Sequence, residues 1–557
     1  MRKRDEIEWF VADFETTSEK FYNENGYTKV WLYAICDMNG NIVNYGETIE
    51  QFIMYIRTLY GKTIYFHNLK FDGTFILDYL LKLGYTYYET FPKDCNKGIS
   101  TLIGEMGEYY SIDIRIAKNK TIHINDSLKL LPFKVEKIAK DFGLPMLKGK
   151  IDYDVYEVNE ETKQYVFNDV KIVALALREL KNEGMSRMTT ASSAYSFFSK
   201  MYERYFLTNM YPSLDIEFLK EWRQAYRGGR SMVNPKYQRQ VLENVKRYDI
   251  NSMYPHVMRN LPLPYGEPIK ITEPGSFKFE LYHIRTMFCL KEGHLPSLLK
   301  KQALYNADDT YYTSSDGEEE LWISNIDYML LIRNYDIVFI DWLDMYGFYT
   351  TTSMFKSYVD FWYNRKLKDN GAKKITDKLM LNSLYGKFGT NPIKYKKIPY
   401  INDNYAISYE KSEESEGTHY YLPVAIAITS WAHKLLDDAI YIAGVDNFVY
   451  CDTDSVHILN ELPNDMIHST DLGKFKLEAI ETKAKYVRQK CYVTYENNKA
   501  HITCAGMPEL SKNRLIDNTD IDTLLSMFDN GLIVRNKLIP KRVCGGTILH
   551  ETTFEIK

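Results

Sequence analysis

Apolar runs that end on acidic residues recur along the chain. Trp9-Phe10-Val11-Ala12-Asp13-Phe14-Glu15-Thr16-Thr17 reads as an apolar strand with acids at i and i+2, and the two-residue period of a strand projects both from one face. Thr63-Ile64-Tyr65-Phe66 is strand-like and runs into His67-Asn68-Leu69-Lys70-Phe71-Asp72-Gly73, which supplies a further carboxylate. Around Asp249 a short mixed strand gives way to a turn closed by Pro255. Phe448-Val449 leads into Tyr450-Cys451-Asp452-Thr453-Asp454-Ser455, two carboxylates flanking one small polar residue. Helical spacing joins Tyr165 to Asp169 at i and i+4, adjacent on one face. In the helix around Lys378 to Gly386, about 100° per residue places Lys374, Lys378, Asn382 and Tyr385 within about 80° of each other, with Leu379, Met380 and Leu384 elsewhere and Leu381 at the border. Further strands are expected at Phe277-Lys278-Phe279-Glu280-Leu281, and at Lys396 to Ile401 and His419 to Tyr421 on either side of an acidic loop tip, Glu410 to Gly417.

Composition narrows the class without naming a function. A chain of 557 residues makes about three or four compact units at roughly 150 residues each. The net charge of −4 excludes a global basic field, so any nucleic-acid contact must come from local patches. Candidates are Lys118 to Lys150, Arg365 to Lys397, and Arg535, Lys537, Lys541 and Arg542. The 47 tyrosines offer rings that stack or hydrogen-bond, many of them core. Seven cysteines without paired short spacings argue against a disulfide framework or zinc site and for a reducing compartment. The charged start Met1 to Glu6 lacks the apolar stretch of a signal peptide, no membrane segment is visible, and no repeats are evident, so an intracellular, non-secreted chain is expected.

Asp-Thr-Asp alone is also what an ordinary hydrogen-bonded turn looks like. On a strand, however, Asp452 and Asp454 would point together, and like charges at that spacing call for a cation. Asp249 offers the partner carboxylate. Magnesium takes oxygen ligands and is typically held by one or two carboxylates together with substrate phosphates. Two such ions about 3.5–4 Å apart would activate an attacking hydroxyl and stabilise a leaving pyrophosphate.

The segments Asp249 to Pro255 and Tyr450 to Ser455 resemble the two metal-binding motifs of family B DNA polymerases, and the helix Lys378 to Gly386 resembles the nucleotide-binding motif between them. The resemblance implies that Asp249 and Asp454 hold two Mg²⁺ ions, with Mn²⁺ as a substitute, and that Asp452 belongs to the catalytic turn. It implies that Lys378 binds the triphosphate, that Lys366 and Lys374 add positive charge, and that Tyr385 and Tyr254 form the nucleotide pocket with Asn382. Tyr254 would exclude a 2′-hydroxyl by steric clash. Ser252, Thr453 and Gly386 would contact DNA.

The N-terminal acids resemble the exonuclease motifs of the DnaQ-like 3′→5′ proofreading domain. This implies Asp13, Glu15, Asp72 and Asp169 as ligands of a second pair of ions, Tyr165 orienting the attacking water, and Lys148 assisting catalysis. Asn68, Phe71, Ser127 and Leu128 would contact the single-stranded primer end, Phe71 by base stacking. Between the two centres, Tyr226-Arg227-Gly228-Gly229-Arg230 resembles a loop that switches the primer between synthesis and editing, its glycines admitting phosphates and its arginines adding charge. Lys490-Cys491-Tyr492 resembles the Lys-x-Tyr element, with lysine and tyrosine on one side of a strand holding the primer terminus. Thr429 to His433 resembles a template-binding motif with His433 in place of the usual arginine.

Over almost its whole length the chain resembles the protein-primed family B DNA polymerases of small tailed phages of Gram-positive bacteria, down to Cys504-Ala505-Gly506-Met507 and the closing Gly545 to Lys557. The fold so implied is an α/β and α+β multidomain chain, with a DnaQ-like (RNase H-like) exonuclease domain and a right-hand palm, fingers and thumb carrying two terminal-protein-region insertions. Expected boundaries are 1–189 exonuclease, 190–260 first palm portion, 261–353 first insertion, 354–389 fingers, 390–421 second insertion, 422–504 second palm portion and 505–557 thumb. Implied partners are template and primer DNA, deoxynucleoside triphosphates, a terminal protein whose hydroxyl primes synthesis, and a single-stranded DNA-binding protein. A monomer working in a bacterial host cytoplasm is expected, with strand displacement supported by the second insertion. The alternatives are an ordinary-primer family B polymerase, a nuclease with a degenerate polymerase module, and a noncatalytic DNA-binding replication factor.

Overall fold

The computed structural model describes residues 8–146, 148–149, 151–300, 310–529 and 531–556. The start Met1 to Glu6, Lys150 at the end of the lysine-dense segment, and Lys557 lie outside the described residues.

Strand Trp9–Thr16 pairs antiparallel with Val30–Asp37 and parallel with Thr63–Phe66, inside an eight-stranded mixed sheet. Its even-numbered Phe10, Ala12 and Phe14 pack with Ile64, Phe66 and the helix Leu69–Lys82. Its odd-numbered Trp9 and Val11 pack against the helix Glu160–Asn182 through Val166 and Val170. A strand covered on both faces reads as an almost continuous apolar run, and here polarity enters only towards the C-terminal end, at Asp13 and Glu15. That odd face is also the one opposite Tyr165 and Asp169.

A second, seven-stranded antiparallel sheet runs in the order Lys499–Cys504, Cys491–Glu496, Phe475–Arg488, Val241–Ile250, Ser455–Ile458, Phe448–Asp452, Ser231–Val233. Asp249 lies opposite Ser455 on one side and Lys476 on the other. The helix Leu422–Ala443 is apolar nearly all round and buried accordingly, packed against the sheet and against neighbouring helices. The helices Lys356–Lys368 and Gly371–Phe388 form an antiparallel pair, with the Tyr358 hydroxyl donating to the Met380 carbonyl at 2.7 Å.

Between Asp249 and that helical pair lies a four-stranded antiparallel sheet, Leu263–Lys270, Tyr335–Thr351, Phe279–Leu290 and Glu319–Ser324, with the helix Asn325–Asn334. The strand expected at Phe277 to Leu281 thus starts two residues later and runs to Leu290. The segment expected to be two strands around an acidic tip is arranged differently. Lys397–Ile401 pairs with Ile407–Lys411 around a turn in which Asn402 Oδ1 accepts from the backbone N–H of Asn404 and Ala406, and Ile393–Lys394 pairs with Ser415–Glu416. The acidic stretch is therefore partly strand, and His419 to Tyr421 is the irregular approach to the helix at Leu422. Asparagine turn chemistry sets the reversal, not the run of charge.

The C-terminal hairpin of Ile533–Val543 and Gly546–Glu555 reaches back to the N-terminal domain. At its tip Gly545 has φ +93°, and a Cβ there would lie 2.0 Å from the Thr28 carbonyl oxygen, so only glycine permits the approach that lets Thr28 N–H donate to the Cys544 carbonyl at 2.9 Å. No helix among the described residues is long and apolar enough to cross a membrane.

Candidate active sites

Asp249 and Asp454 line one cavity of about 600 Å³ together with Ser252, Thr453, Tyr254, Lys366, Lys374, Lys378, Asn382 and Tyr385. Strand Val241–Ile250 brings Asp249 to the hairpin of Phe448–Asp452 and Ser455–Ile458, and Ile250 N–H donates to the Asp454 carbonyl at 2.8 Å. Burial and then the Asp454 charge push the Asp249 carboxyl up to about 7, and burial likewise raises Asp454. Facing them, Lys366 donates to the Ser252 hydroxyl at 2.8 Å, and burial followed by the nearby Lys378 and Lys374 charges lowers its affinity for a proton. The site sets two carboxyls whose burial outweighs the nearby lysine charges against crowded ammonium groups. A polyanion with bound cations relieves both strains.

Two local readings change. Asp452 and Asp454 do not share a strand face, because Asp452 ends one strand, Thr453 takes a left-handed φ of 58°, and Ser455 starts the next strand opposite Asp452. The tight turn separates the carboxylates: Asp454 faces the cavity, while Asp452 pairs with Lys490 Nζ at 3.0 Å. The segment after Asp249 is not a turn closed by proline but the start of helix Met253–Asn260, whose first turn tolerates Pro255.

The second acidic set lines a separate cavity of about 950 Å³ containing Asp13, Glu15, Asp72, Asp169, Tyr165, Lys148, Asn68 and Phe71. Burial and the Asp169 charge push Asp13 up to about 7, while burial and neighbouring acids raise Glu15 and Asp72. Lys148 Nζ donates to Asp169 Oδ2 at 2.6 Å, and Asp169 Oδ1 is buried without a hydrogen-bond partner among the described residues. Tyr165 sits one helical turn before Asp169, its hydroxyl 3.5 Å from that of Tyr153.

Other expected contacts are turned inward. Ser127 is fully buried, its hydroxyl donating to the Phe66 carbonyl at 3.0 Å and paired with His67 Nδ1, so it supports the cavity wall from behind; Leu128 is half-buried with its N–H held by Asp126. Arg227 and Arg230 do not face phosphate: both guanidinium groups are buried, Arg227 donating to the carbonyls of Leu299 and Trp322 and Arg230 to Asp437 and the Pro296 carbonyl. Desolvating arginine is costly unless its donors are used, and these backbone and carboxylate acceptors take up part of them, leaving Arg227 Nη1 and Arg230 Nε buried without a partner among the described residues. Thr429 is buried with its hydroxyl donating to carbonyls one turn back in its own helix, and His433 Nε2 donates to the Gly228 carbonyl at 2.6 Å. Gly228, Gly229 and Gly386 remain exposed, and Tyr226 packs its ring so close to Gly389 that a Cβ there would lie 2.5 Å away. Lys490 lies in a turn with φ 52° ahead of strand Cys491–Glu496, so it does not share a strand face with Tyr492; Tyr492 packs its ring 5.1 Å from Tyr450.

Sequence reasoning missed Lys476 and Glu478 in the first cavity, and Tyr153, His67, Leu538, Leu549 and Glu551 in the second. Lys476 is found only through strand register, as the residue opposite Asp249.

The chain matches the family described as DNA polymerase type B, organellar and viral, over residues 53–159 and 154–472. It is 34% identical to the DNA polymerase of Bacillus phage Nf over 98% of this chain and 99% of the relative. It is also 34% identical to the DNA polymerase of Bacillus phage phi29, again over 98% of this chain and 99% of the relative. The solved structure of phi29 DNA polymerase with primer-template DNA and incoming nucleotides matches with a TM-score of 0.88 at 33% identity, covering 99% of this chain and all of that one. The chain belongs to the type B DNA polymerases.

A type B DNA polymerase of this kind is a multidomain α/β enzyme that extends DNA on a DNA template, and membership implies a divalent metal ion. No three His, Cys, Asp or Glu side chains among the described residues converge as a ready coordination shell. The donor chemistry nevertheless fits a hard cation: both sites offer carboxylate oxygens, each raised in proton affinity by burial and by other acids, and the second leaves Asp169 Oδ1 without a partner.

Proposed function

We propose that this polymerase adds deoxynucleotides at the Asp249–Asp454 cavity, removes mispaired 3′ ends at the Asp13–Asp169 cavity, and starts replication from a terminal-protein hydroxyl. The observation that carries this reading is the separation of two acidic cavities, the first lined by Lys366, Lys374, Lys378 and Lys476 with the stacked rings of Tyr254 and Tyr385, the second by Asp13, Glu15, Asp72 and Asp169 with Lys148 and Tyr165.

In the first cavity Lys378, Lys366 and Lys374 neutralise the triphosphate, while Asn382, Tyr385 and Tyr254 seat base and sugar. Lys490 and Tyr492 hold the primer terminus beside Asp452, with Ser252, Thr453, Gly386, Tyr226, Gly228 and Gly229 along the DNA path. Two Mg²⁺ ions held by Asp249 and Asp454 would supply Lewis-acid stabilisation of the attacking and leaving oxygens, and Mn²⁺ would substitute. In the second cavity, Asp13, Glu15, Asp72 and Asp169 would hold the ions, Tyr165 orients water, Lys148 offsets charge at Asp169, and Asn68 and Phe71 receive the unpaired end.

In this reading the N-terminal 189 residues are the exonuclease domain. The two sheet segments around Asp249 and Asp454 are the palm, the helical pair at 354–389 the fingers, and the chain from 505 the thumb. The 261–353 segment receives the terminal protein, and the 390–421 segment supports strand displacement. The enzyme acts as a monomer in the host cytoplasm on DNA, deoxynucleoside triphosphates and terminal protein, aided by a single-stranded DNA-binding protein.

Asp249→Ala or Asp454→Ala is expected to abolish primer extension and leave single-strand degradation. Extension surviving either change overturns the synthesis site. Asp13→Ala with Asp72→Ala is expected to do the reverse. For priming, terminal protein, template and one labelled deoxynucleotide should yield label covalently bound to protein, and no such label with active partners rejects the mode.

A further inference from the structure

The loop Tyr226 to Arg230 is held from two sides. On one side it touches the catalytic turn: Thr453 N–H donates to the Arg230 carbonyl at 2.7 Å, and a Cβ on Gly229 would lie 2.8 Å from Thr453 Oγ1. On the other side its charges run into the 261–353 insertion. Arg230 Nη1 donates to Asp437 Oδ1 at 2.6 Å, with both side chains essentially without solvent exposure. The second oxygen of the same carboxylate accepts from Arg333 Nη1 at 2.9 Å, and Arg333 belongs to the insertion's helix Asn325–Asn334 and is one-third exposed. One buried carboxylate is thus shared by two guanidinium groups, one rooted beside Thr453 and one reaching the surface.

Stability does not account for this arrangement. Well-packed apolar side chains of similar volume often serve a buried site as well as an ion triad, so the directional demand of the triad, which in some proteins fixes register, is the feature to account for. Asp437 lies on the helix Leu422–Ala443, and Arg333 Nη1 also donates to the neighbouring Asp438 Oδ1 at 2.8 Å; if the insertion helix moved away by an ångström, the buried Asp437 carboxylate would lose one of its two charge-assisted partners. The Arg227 bonds to the carbonyls of Leu299 and Trp322 tie the same loop to the same insertion, and the His433 bond to the Gly228 carbonyl ties it to the helix that carries Asp437.

We propose that Arg333, Asp437 and Arg230 form a strut that transmits the position of the 261–353 insertion to the Gly228-Gly229 loop and, through Thr453, to the turn carrying Asp454. They are positioning residues for the sharing of primer between synthesis and editing, an inference that rests on the reading of that loop as the primer switch.

The test uses the full chain on a matched primer-template and measures nucleotides turned over per nucleotide incorporated, with single-strand degradation and melting temperature alongside. Arg333→Gln, at the solvent-facing end, is expected to change the ratio by about fivefold with single-strand degradation unchanged, and Asp437→Asn by at least as much. Arg333→Lys is expected to restore part of the shift. The double variant Arg230→Met with Asp437→Leu fills the space without charge; it should melt close to the parent while its ratio stays shifted. Three results overturn the strut. In the first, folded Arg333→Gln and Asp437→Asn keep the parent ratio while Gly229→Ala moves it. In the second, the apolar double variant regains both stability and ratio, which makes the role one of packing. In the third, Gly229→Ala itself leaves the ratio unmoved, so the loop is not a switch and the strut has nothing to act on.

Discussion

Tyr254 and Tyr385 stack with ring centroids 4.2 Å apart and planes at 30°, joining the start of helix Met253–Asn260 to helix Gly371–Phe388 at the wall of the Asp249–Asp454 cavity. A ring fixed by stacking cannot swing aside for an extra hydroxyl. Tyr254→Val is therefore expected to lower discrimination between deoxynucleotides and ribonucleotides by about tenfold to a hundredfold, while Tyr254→Phe retains it. The check is the ratio of kcat/KM for the two nucleotide classes, and an unchanged ratio in Tyr254→Val removes the ring from sugar selection.

Burial of Asp249 couples stability to pH. Its carboxyl is raised to about 7 by burial and the Asp454 charge, so in the metal-free protein it opposes folding from the ordinary carboxylate range upward, with the full penalty above about pH 7. Asp249→Asn should stabilise the protein in EDTA at pH 8 by about 1–2 kcal/mol, allowing for solvent screening, while ending synthesis. Binding of Mg²⁺ to the parent should release protons and tighten as pH rises through about 7. Calorimetry in two buffers of different ionisation enthalpy measures that release; equal heats would show that Asp249 is already ionised.

Lys148 and Asp169 make a charged contact within the second cavity at 2.6 Å. Removing the ammonium leaves an additional buried negative charge among Asp13, Glu15 and Asp72. Lys148→Met should slow single-strand degradation by about ten- to a hundredfold without altering single-nucleotide insertion. Comparable losses in both activities would point to general misfolding.

The acids and lysines of both cavities were legible because their arrangement is local: alternation on Trp9–Thr16, one helical turn from Tyr165 to Asp169, and one polar face from Lys374 to Tyr385. Inward arginines were not. Beside two glycines, Arg227 and Arg230 have the chemistry of phosphate ligands, and only tertiary structure brings Asp437, Leu299 and Trp322 to their donors. Lys476 was invisible for the same reason, since its place opposite Asp249 depends on how two distant strands align. The Asp452-Thr453-Asp454 turn shows the opposite error. The strand period fails there because the backbone turns over at the left-handed Thr453, which leaves Asp452 paired with Lys490 and Asp454 lining the cavity.

That division yields a last expectation. Lys490 reaches Asp452 from the turn before strand Cys491–Glu496, and its N–H donates to the Tyr450 hydroxyl at 3.2 Å, so the lysine is held beside the 448–458 hairpin and outside the Asp249–Asp454 cavity. The Lys490 side chain is more than half exposed, which leaves its ammonium accessible to a primer phosphate beside Asp452. Lys490→Met should raise the KM for primer-template with little change in kcat at saturating DNA, and should reduce the slope of log affinity against log salt by about one. Lys490→Arg should keep the slope and recover part of the affinity. A fall in kcat at saturating DNA with an unaltered salt slope would instead place Lys490 in the chemical step, and the turn would no longer divide primer binding from metal binding.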